Sequence, residues 1–364
     1  MKRIAVVVSG GAALALALTV AVILSRVQRL TDEVRRQVAA DAERMLPTYL
    51  RLGAALDEHP FFAAKHPGSD AGPWLNPRMS WDGGASPAGS ELTLPDGLAD
   101  RLREWGDTWT EHAADIDWSS LDFAWMRAVA DYGFWSILPG GPLEHLEHPR
   151  FGSMPLPSFI ALQPWAKLRL LAARQKGDHG IASRELRQVA WLCHSTELLI
   201  GSMVAVAILG LERRAYVSAL AGKVEVGAWK PFDEEWIADA RAVGFAAPGF
   251  ANPMIGDALV ERARVVKAAR CSGLTEMMWL ISMRHKLGVP VAPALEREIA
   301  DPNPPCRLDV MHWYLNKGGT PSETDDSALV RLGGWLFPAT TDGQLESIAA
   351  PYWFKKLEER ATGR

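Results

Sequence analysis

Residues 159–220 read FIALQPWAKLRLLAARQKGDHGIASRELRQVAWLCHSTELLIGSMVAVAILGLERRAYVSAL, and this stretch decides the fold class. Leu162, Trp165, Leu168 and Ala172 recur at steps of three and four, which places them on one face of a helix. Gly177-Asp178-His179-Gly180 then predicts a turn, and Ala182, Leu186, Val189 and Cys193 repeat the helical spacing beyond it. Ser195 or Thr196 is expected to cap the next helix, with Glu197 in its first turn, where the helix dipole favours a negative charge. Residues 198–211 are apolar nearly all round. A run of 14 is too short to cross a bilayer, so it predicts a central buried helix. Gly201, Ser202, Ala205, Ala207 and Gly210 would let neighbouring helices approach it closely.

Working outward, helical spacing is also expected over residues 98–109, 121–137, 255–287 and 344–360. Pro139-Gly140-Gly141-Pro142 and the prolines at 149, 155 and 157 break the pattern, making residues 139–157 a candidate internal boundary. Residues 59–97 are dense in Pro, Gly, Ser and Asp, yet Phe61, Phe62, Trp74, Leu75 and Trp81 are interleaved among them. Such a segment is expected to lie against the helical body as an irregular wrap. Residues 289–305 and 318–326 read as loops, and Val224-Glu225-Val226 supports one short edge pairing at most. The fold expected is mainly α, an irregular helical-hairpin bundle with long Pro/Gly-rich loops.

Ahead of the bundle, residues 4–24 form an uncharged run of 21, of which eleven are Ile, Val or Leu. As a helix this run is about 31 Å long, matching a hydrocarbon core of about 30 Å. It reads as a retained anchor: it is longer than a secretory signal's apolar region and ends Val22-Ile23-Leu24-Ser25-Arg26 with no Ala-x-Ala cleavage pattern. Val27, Leu30, Val34, Val38, Ala42, Met45, Tyr49, Leu52 and Leu56 then mark an amphipathic stalk helix, expected to bend near Pro47. The organisation expected is an anchor at 1–25, a stalk at 26–58, the irregular segment at 59–97 and a helical domain at 98–364. A short basic N-terminal tail, Lys2 and Arg3, points to a bacterial inner-membrane protein with a periplasmic body.

Residues 170–216, with Leu170-Leu171-Ala172-Ala173-Arg174, Gly177-Asp178, residues 182–186 and the apolar 198–211 run, resemble helical hairpins of uncharacterised single-span bacterial proteins. That resemblance covers about 50 residues, lies in packing and not in chemistry, and implies no activity.

Composition narrows the function classes. Hydrophobic residues make up 48% and charged residues 23% of 364, close to folded averages. Formal net charge is −4, and because Lys2 and Arg3 precede the apolar run, the rest carries −6 by the same count, which argues against nucleic acid as a partner. The partners expected are the membrane, through residues 4–24, and a protein. No dinucleotide, phosphate-loop, zinc-protease or serine-hydrolase motif occurs, so no cofactor and no catalytic activity are inferred.

Three local groupings remain as candidate sites. Of fifteen tryptophans, seven fall between Trp74 and Trp135. Trp105, Trp109 and Trp118 stand beside Asp115 and Asp117, the side-chain types that a glycan-binding or glycan-cleaving groove uses, although one buried aromatic face explains the spacing as well. Glu144, His145 and His148 are spaced to share a helical turn as metal ligands, or to form a solvated turn between prolines. Among the cysteines, Cys193 reads as a buried free thiol and Cys271 with Cys306 as the pair able to form a disulfide.

Overall fold

The computed structural model describes residues 39–63, 67–82, 92–147, 154–251, 306–317 and 354–362, together with Glu33, Arg36, Gln37, Cys271, Ser272 and Thr275. The described residues are mainly helical. Helix α1 (residues 39–57) runs through Pro47 and buries Ala42, Met45, Tyr49, Leu52 and Leu56 along one face. That stripe packs onto the body, with the Tyr49 ring 4.4 Å from that of Phe250.

The next region is built of short pieces: α2 (Pro60–Ala63), β1 (Ser69–Asp70), α3 (Gly72–Leu75), α4 (Leu98–Glu104), α5 (Ala124–Ala128) and β2 (Tyr132–Phe134). Strands β1 and β2 pair in parallel, Ser69 with Tyr132 and Asp70 with Phe134. Gly72 allows this crossing, because a Cβ there would fall 2.2 Å from the Ser136 carbonyl oxygen. As expected of a wrap, Phe61, Leu75 and Trp81 are buried. What holds it is Asn76, fully buried, which donates to the Ser136 and Pro139 carbonyls at 3.0 and 2.7 Å. Its own oxygens accept the indole N–H of Trp135 at 2.7 Å and of Trp81 at 2.9 Å.

Helices α6 (Leu162–Lys176), α7 (His179–Ser195), α8 (Leu199–Ala221) and α9 (Glu234–Ala251) form the body, and α10 (Asp309–Asn316) and α11 (residues 354–362) follow. Helix α6 stops at Gly177, whose left-handed φ of 70° lets its N–H return to the Ala173 carbonyl at 2.8 Å. Helix α8 sits between α6, α7 and α9, burying Val204, Ala205, Ile208 and Leu209. Its approach to α7 depends on Gly201, where a Cβ would lie 2.4 Å from the Cys193 carbonyl oxygen.

Four expectations from the sequence are corrected. Helix over 121–137 is limited to α5, because Asp122 starts it by accepting the Ala124 amide at 2.8 Å and pairing with β1 draws residues 132–134 into a strand. Over 98–109, Gly106 with φ 51° ends the α-helical run, and Gly106–Glu111 continues as a 3-10 helix. Val224-Glu225-Val226 forms no strand, since Val224 donates back to Ala219 and Trp229 to Val226 in turns. Ser195 and Thr196 do not cap α8: their hydroxyls bond back to Leu192 and Cys193 at the end of α7, and the position before α8 is Leu198, with no side-chain cap. Glu197 takes a positive φ of 60° between the two helices.

The anchor expected at residues 4–24, the break at 318–326 and most of the helix expected at 255–287 lie outside the described residues. Among the described residues no helix is long and apolar enough to cross a membrane. In α8 the apolar run is ended by Glu212, Arg213 and Arg214.

Candidate functional site

The tryptophan and carboxylate grouping separates into three environments. Trp109 is fully buried, with the Lys167 ammonium 5.8 Å from its ring centre, and offers no face to a ligand. Trp105 is half-buried: the His112 ring stacks on it at 4.6 Å and 6°, and the Arg101 guanidinium stands 5.3 Å from its centre. His112 Nδ1 lies 2.9 Å from Asp115 Oδ2, and Arg101 donates to the Asp115 carbonyl. Trp105, His112 and Asp115 are therefore one surface cluster. Asp117 is committed elsewhere, accepting the Ser119 amide at 3.0 Å and hydroxyl at 2.6 Å, and these bonds hold its carboxyl below the usual range. Trp118, half-buried, donates its indole N–H to the Ala113 carbonyl at 3.2 Å.

Glu144 and His145 lie on a 3-10 turn, Pro142–His145, where Glu144 accepts the Gly140 amide at 2.8 Å. His148 is outside the described residues. Cys271 and Cys306 are joined by a disulfide across 35 residues, with Cα atoms 5.4 Å apart. A Glu197 carboxylate oxygen lies within 4.8 Å of both sulfurs, a metal-like spacing, but the sulfurs are already bonded to each other. Glu197 instead accepts the Arg307 and Leu308 amides at 3.0 and 2.5 Å, fixing the chain beside the disulfide. Cys193 is a buried free thiol whose pKa burial pushes far up, leaving it inert.

The body also holds charged side chains that the sequence reading passed over. Arg169, 3% exposed, donates to Glu185 at 2.5 Å and reaches both carboxylate oxygens of Asp178 at 3.2 and 2.9 Å. Burial opposes charge on both partners; the hydrogen bonds and opposite charge outweigh it, so the Asp178 pKa is lowered and that of Arg169 raised. Glu212, fully buried on α8, accepts the Ser183 hydroxyl at 2.6 Å, the Arg187 guanidinium at 2.9 Å and the Trp229 indole N–H at 3.0 Å. The signal was present in the spacing. Arg169 follows Trp165 by four, Glu185 follows Ala182 by three, and Glu212 follows Ile208 by four, so each charge stands on an apolar face.

An apolar groove of about 530 Å³ opens where α1, α8, α9 and α11 meet. Leu56, Phe62, Ile200, Met203, Val206 and Val243 line it, with Ile160, 64% exposed, at its edge. Arg214, Arg241 and Lys356 stand among them, and among the described residues no acidic side chain lines the groove. Arg214 pairs with Asp107 at 2.6 Å, whereas Arg241 has no acceptor among the described residues. Behind the groove, His59, Phe61, Phe62, Phe232 and Trp236 form a continuous ring cluster, with His59 stacked on Trp236 at 3.8 Å, so its wall is stiff. No protein-family model, no curated protein and no solved structure matches the chain.

Proposed function

We propose that this chain is a single-span protein of a bacterial inner membrane, held by residues 4–24, whose helical body lies on the periplasmic side and acts by binding a protein partner. The observation that carries the binding reading is the apolar groove, in which Arg241 has no acceptor among the described residues. Its chemistry suits a partner segment that presents apolar side chains flanked by carboxylates, as an amphipathic helix does. The carboxylates in the described core are spent on structural pairs, which favours a rigid platform over a catalyst. The periplasmic side is supported by the Cys271–Cys306 disulfide, because such bonds persist in oxidising compartments and are rare in the cytoplasm.

The reading is tested by placing a photo-crosslinking amino acid at Ile160 in intact cells. A discrete adduct is expected there, absent when the probe is at Glu104, an exposed position that does not line the groove, and weakened by Arg241→Glu. Equal adducts at both positions, or none at either, would overturn it. Sidedness is read separately, by labelling Glu104→Cys and Asp131→Cys with a membrane-impermeant thiol reagent. Both positions are exposed and the native free thiol, Cys193, is buried, so background is low. Labelling only after lysis would put the body in the cytoplasm.

A second reading, glycan binding, is favoured by one observation: the half-buried Trp105 face beside Asp115 and His112. Retention of the chain on peptidoglycan that is lost in Trp105→Ala would support it, and equal retention of both would exclude it.

A further inference from the structure

At the start of α7, the end away from the groove, a cleft of about 880 Å³ opens over the helix's first turn. Arg174, Lys176, Arg184, Arg187 and Lys230 line it against a single carboxylate, Glu225, in a chain whose net charge is −4. Two of the five are locked in place. Arg187 is held by Glu212 at 2.9 Å, and Arg174 donates to the Thr110 carbonyl at 2.9 Å. Lys176 and Arg184 are exposed and take no acceptor among the described residues.

The helix end beneath these cations lacks its usual cap. Asp178 occupies the N-cap position of this 17-residue helix, but its side chain makes no capping bond. Arg169 takes both of its oxygens instead, at 3.2 and 2.9 Å. Asp178 still accepts the Ile181 and Ala182 amides on its carbonyl, leaving the His179 and Gly180 amides without an acceptor among the described residues. A helix N-terminus in that state attracts an anion.

An independent observation points the same way. His179, which lines the cleft, is only 4% exposed, and neither of its ring nitrogens has a hydrogen-bond partner. The ring is held flat against Trp229, at 4.9 Å and 6°. Leaving a buried imidazole unsatisfied is costly, and such groups in folded proteins call for an explanation. An oxyanion bound in the cleft that this residue lines would offer the ring N–H the acceptor it lacks.

We infer that this cleft binds a phosphate-bearing ligand, with phosphoryl oxygens on the His179 and Gly180 amides and Lys176 and Arg184 closing over them. Donors arriving from a helix end and from several separate side chains match the three or more oxygens of a phosphoryl group better than the two of a carboxylate. The volume leaves room for the organic part of the ligand. That phosphoryl group belongs either to a soluble phosphorylated compound or to an anionic phospholipid headgroup.

Inorganic pyrophosphate is the probe, titrated calorimetrically into the full-length chain in zwitterionic micelles. Saturable binding is expected, weakened by about tenfold or more in Lys176→Glu/Arg184→Glu and unchanged in Arg127→Glu, an exposed cation elsewhere. Both reversed side chains are exposed and make no hydrogen bond among the described residues, and unaltered circular dichroism checks that the fold is kept. Suppression of pyrophosphate binding by anionic phospholipid added to the micelles identifies the headgroup source, and indifference to it identifies a soluble compound. Absence of saturable binding, or binding equal in the double variant and wild type, overturns the site.

Discussion

In the α6–α8 body the helices satisfy their backbone internally except at their ends, and buried polar side chains bond to one another: Arg169 to Glu185 and Asp178, and Glu212 to Ser183, Arg187 and Trp229. In the described residues of 67–147 the backbone bonds are mostly those of short turns, and side chains join the pieces: Asn76 to the Ser136 and Pro139 carbonyls, Asp70 to the Gly72 and Ser136 amides, and Gln188 from α7 to the Val129 and Tyr132 carbonyls. The difference teaches where each region is vulnerable. The body fails when one member of a charged group is removed, and the wrap fails when a single amide side chain that replaces a whole ladder is lost.

The sharpest way to break that contrast is Arg169→Met. It leaves Glu185, 6% exposed, as an uncompensated buried charge and should cost about 4 kcal/mol in chemical unfolding. Adding Glu185→Met should restore much of the loss, because an apolar pair of similar volume removes the stranded charge, while Asp178 keeps some access to water. If the double variant is no better than the single, the pair is not held by charge compensation.

Next in size is Asn76→Ala, which strands the Trp135 indole N–H and two carbonyls and should cost about 3 kcal/mol. Asn76→Asp should not rescue it. The aspartate can accept from Trp135 but sets an acceptor against the Ser136 and Pro139 carbonyls where a donor stood. A stable Asn76→Asp protein would show that the wrap is held by its aromatic burial and not by this side chain.

Acid should then weaken the body before the wrap. Burial lowers the pKa of His179 below its ordinary 6.5, so the unfolded chain binds a proton that the folded one refuses. This contribution is complete above about pH 6.5 and is lost as the pH falls through the lower folded value. Asp178 adds a second loss, complete above about pH 3.8 and gone once the pH passes its own depressed folded value. Unfolding midpoints measured from neutral pH downward should show both phases, and His179→Gln should remove the upper one alone. The smallest effect belongs to Trp105→Ala, whose stack with His112 is at the surface and should change stability by about 1 kcal/mol or less.

The helices α6, α7 and α8 were legible because their apolar residues keep the helical period over whole turns, and the wrap was legible as irregular because breakers and aromatics alternate in it. The short elements inside the wrap were not: β1 and β2 together have five residues, and their pairing joins positions more than sixty apart in the chain. Within the candidate sites, the sequence put Trp105, Trp109 and Trp118 at comparable positions, and only packing separated a buried Trp109 from the half-buried other two.

What the sequence determined by itself is a mainly helical body and a mild negative charge, each a sum over many residues that no single contact reverses. Tertiary structure alone decided which charges are paired and which are left facing a cleft. Arg169 draws the Asp178 carboxylate from the start of α7, and Lys176 and Arg184, close by in the same chain, remain exposed without acceptors among the described residues. Helical period assigns a side chain to a face, but which neighbour that face meets depends on how separate helices pack, and so does the partner of every buried charge.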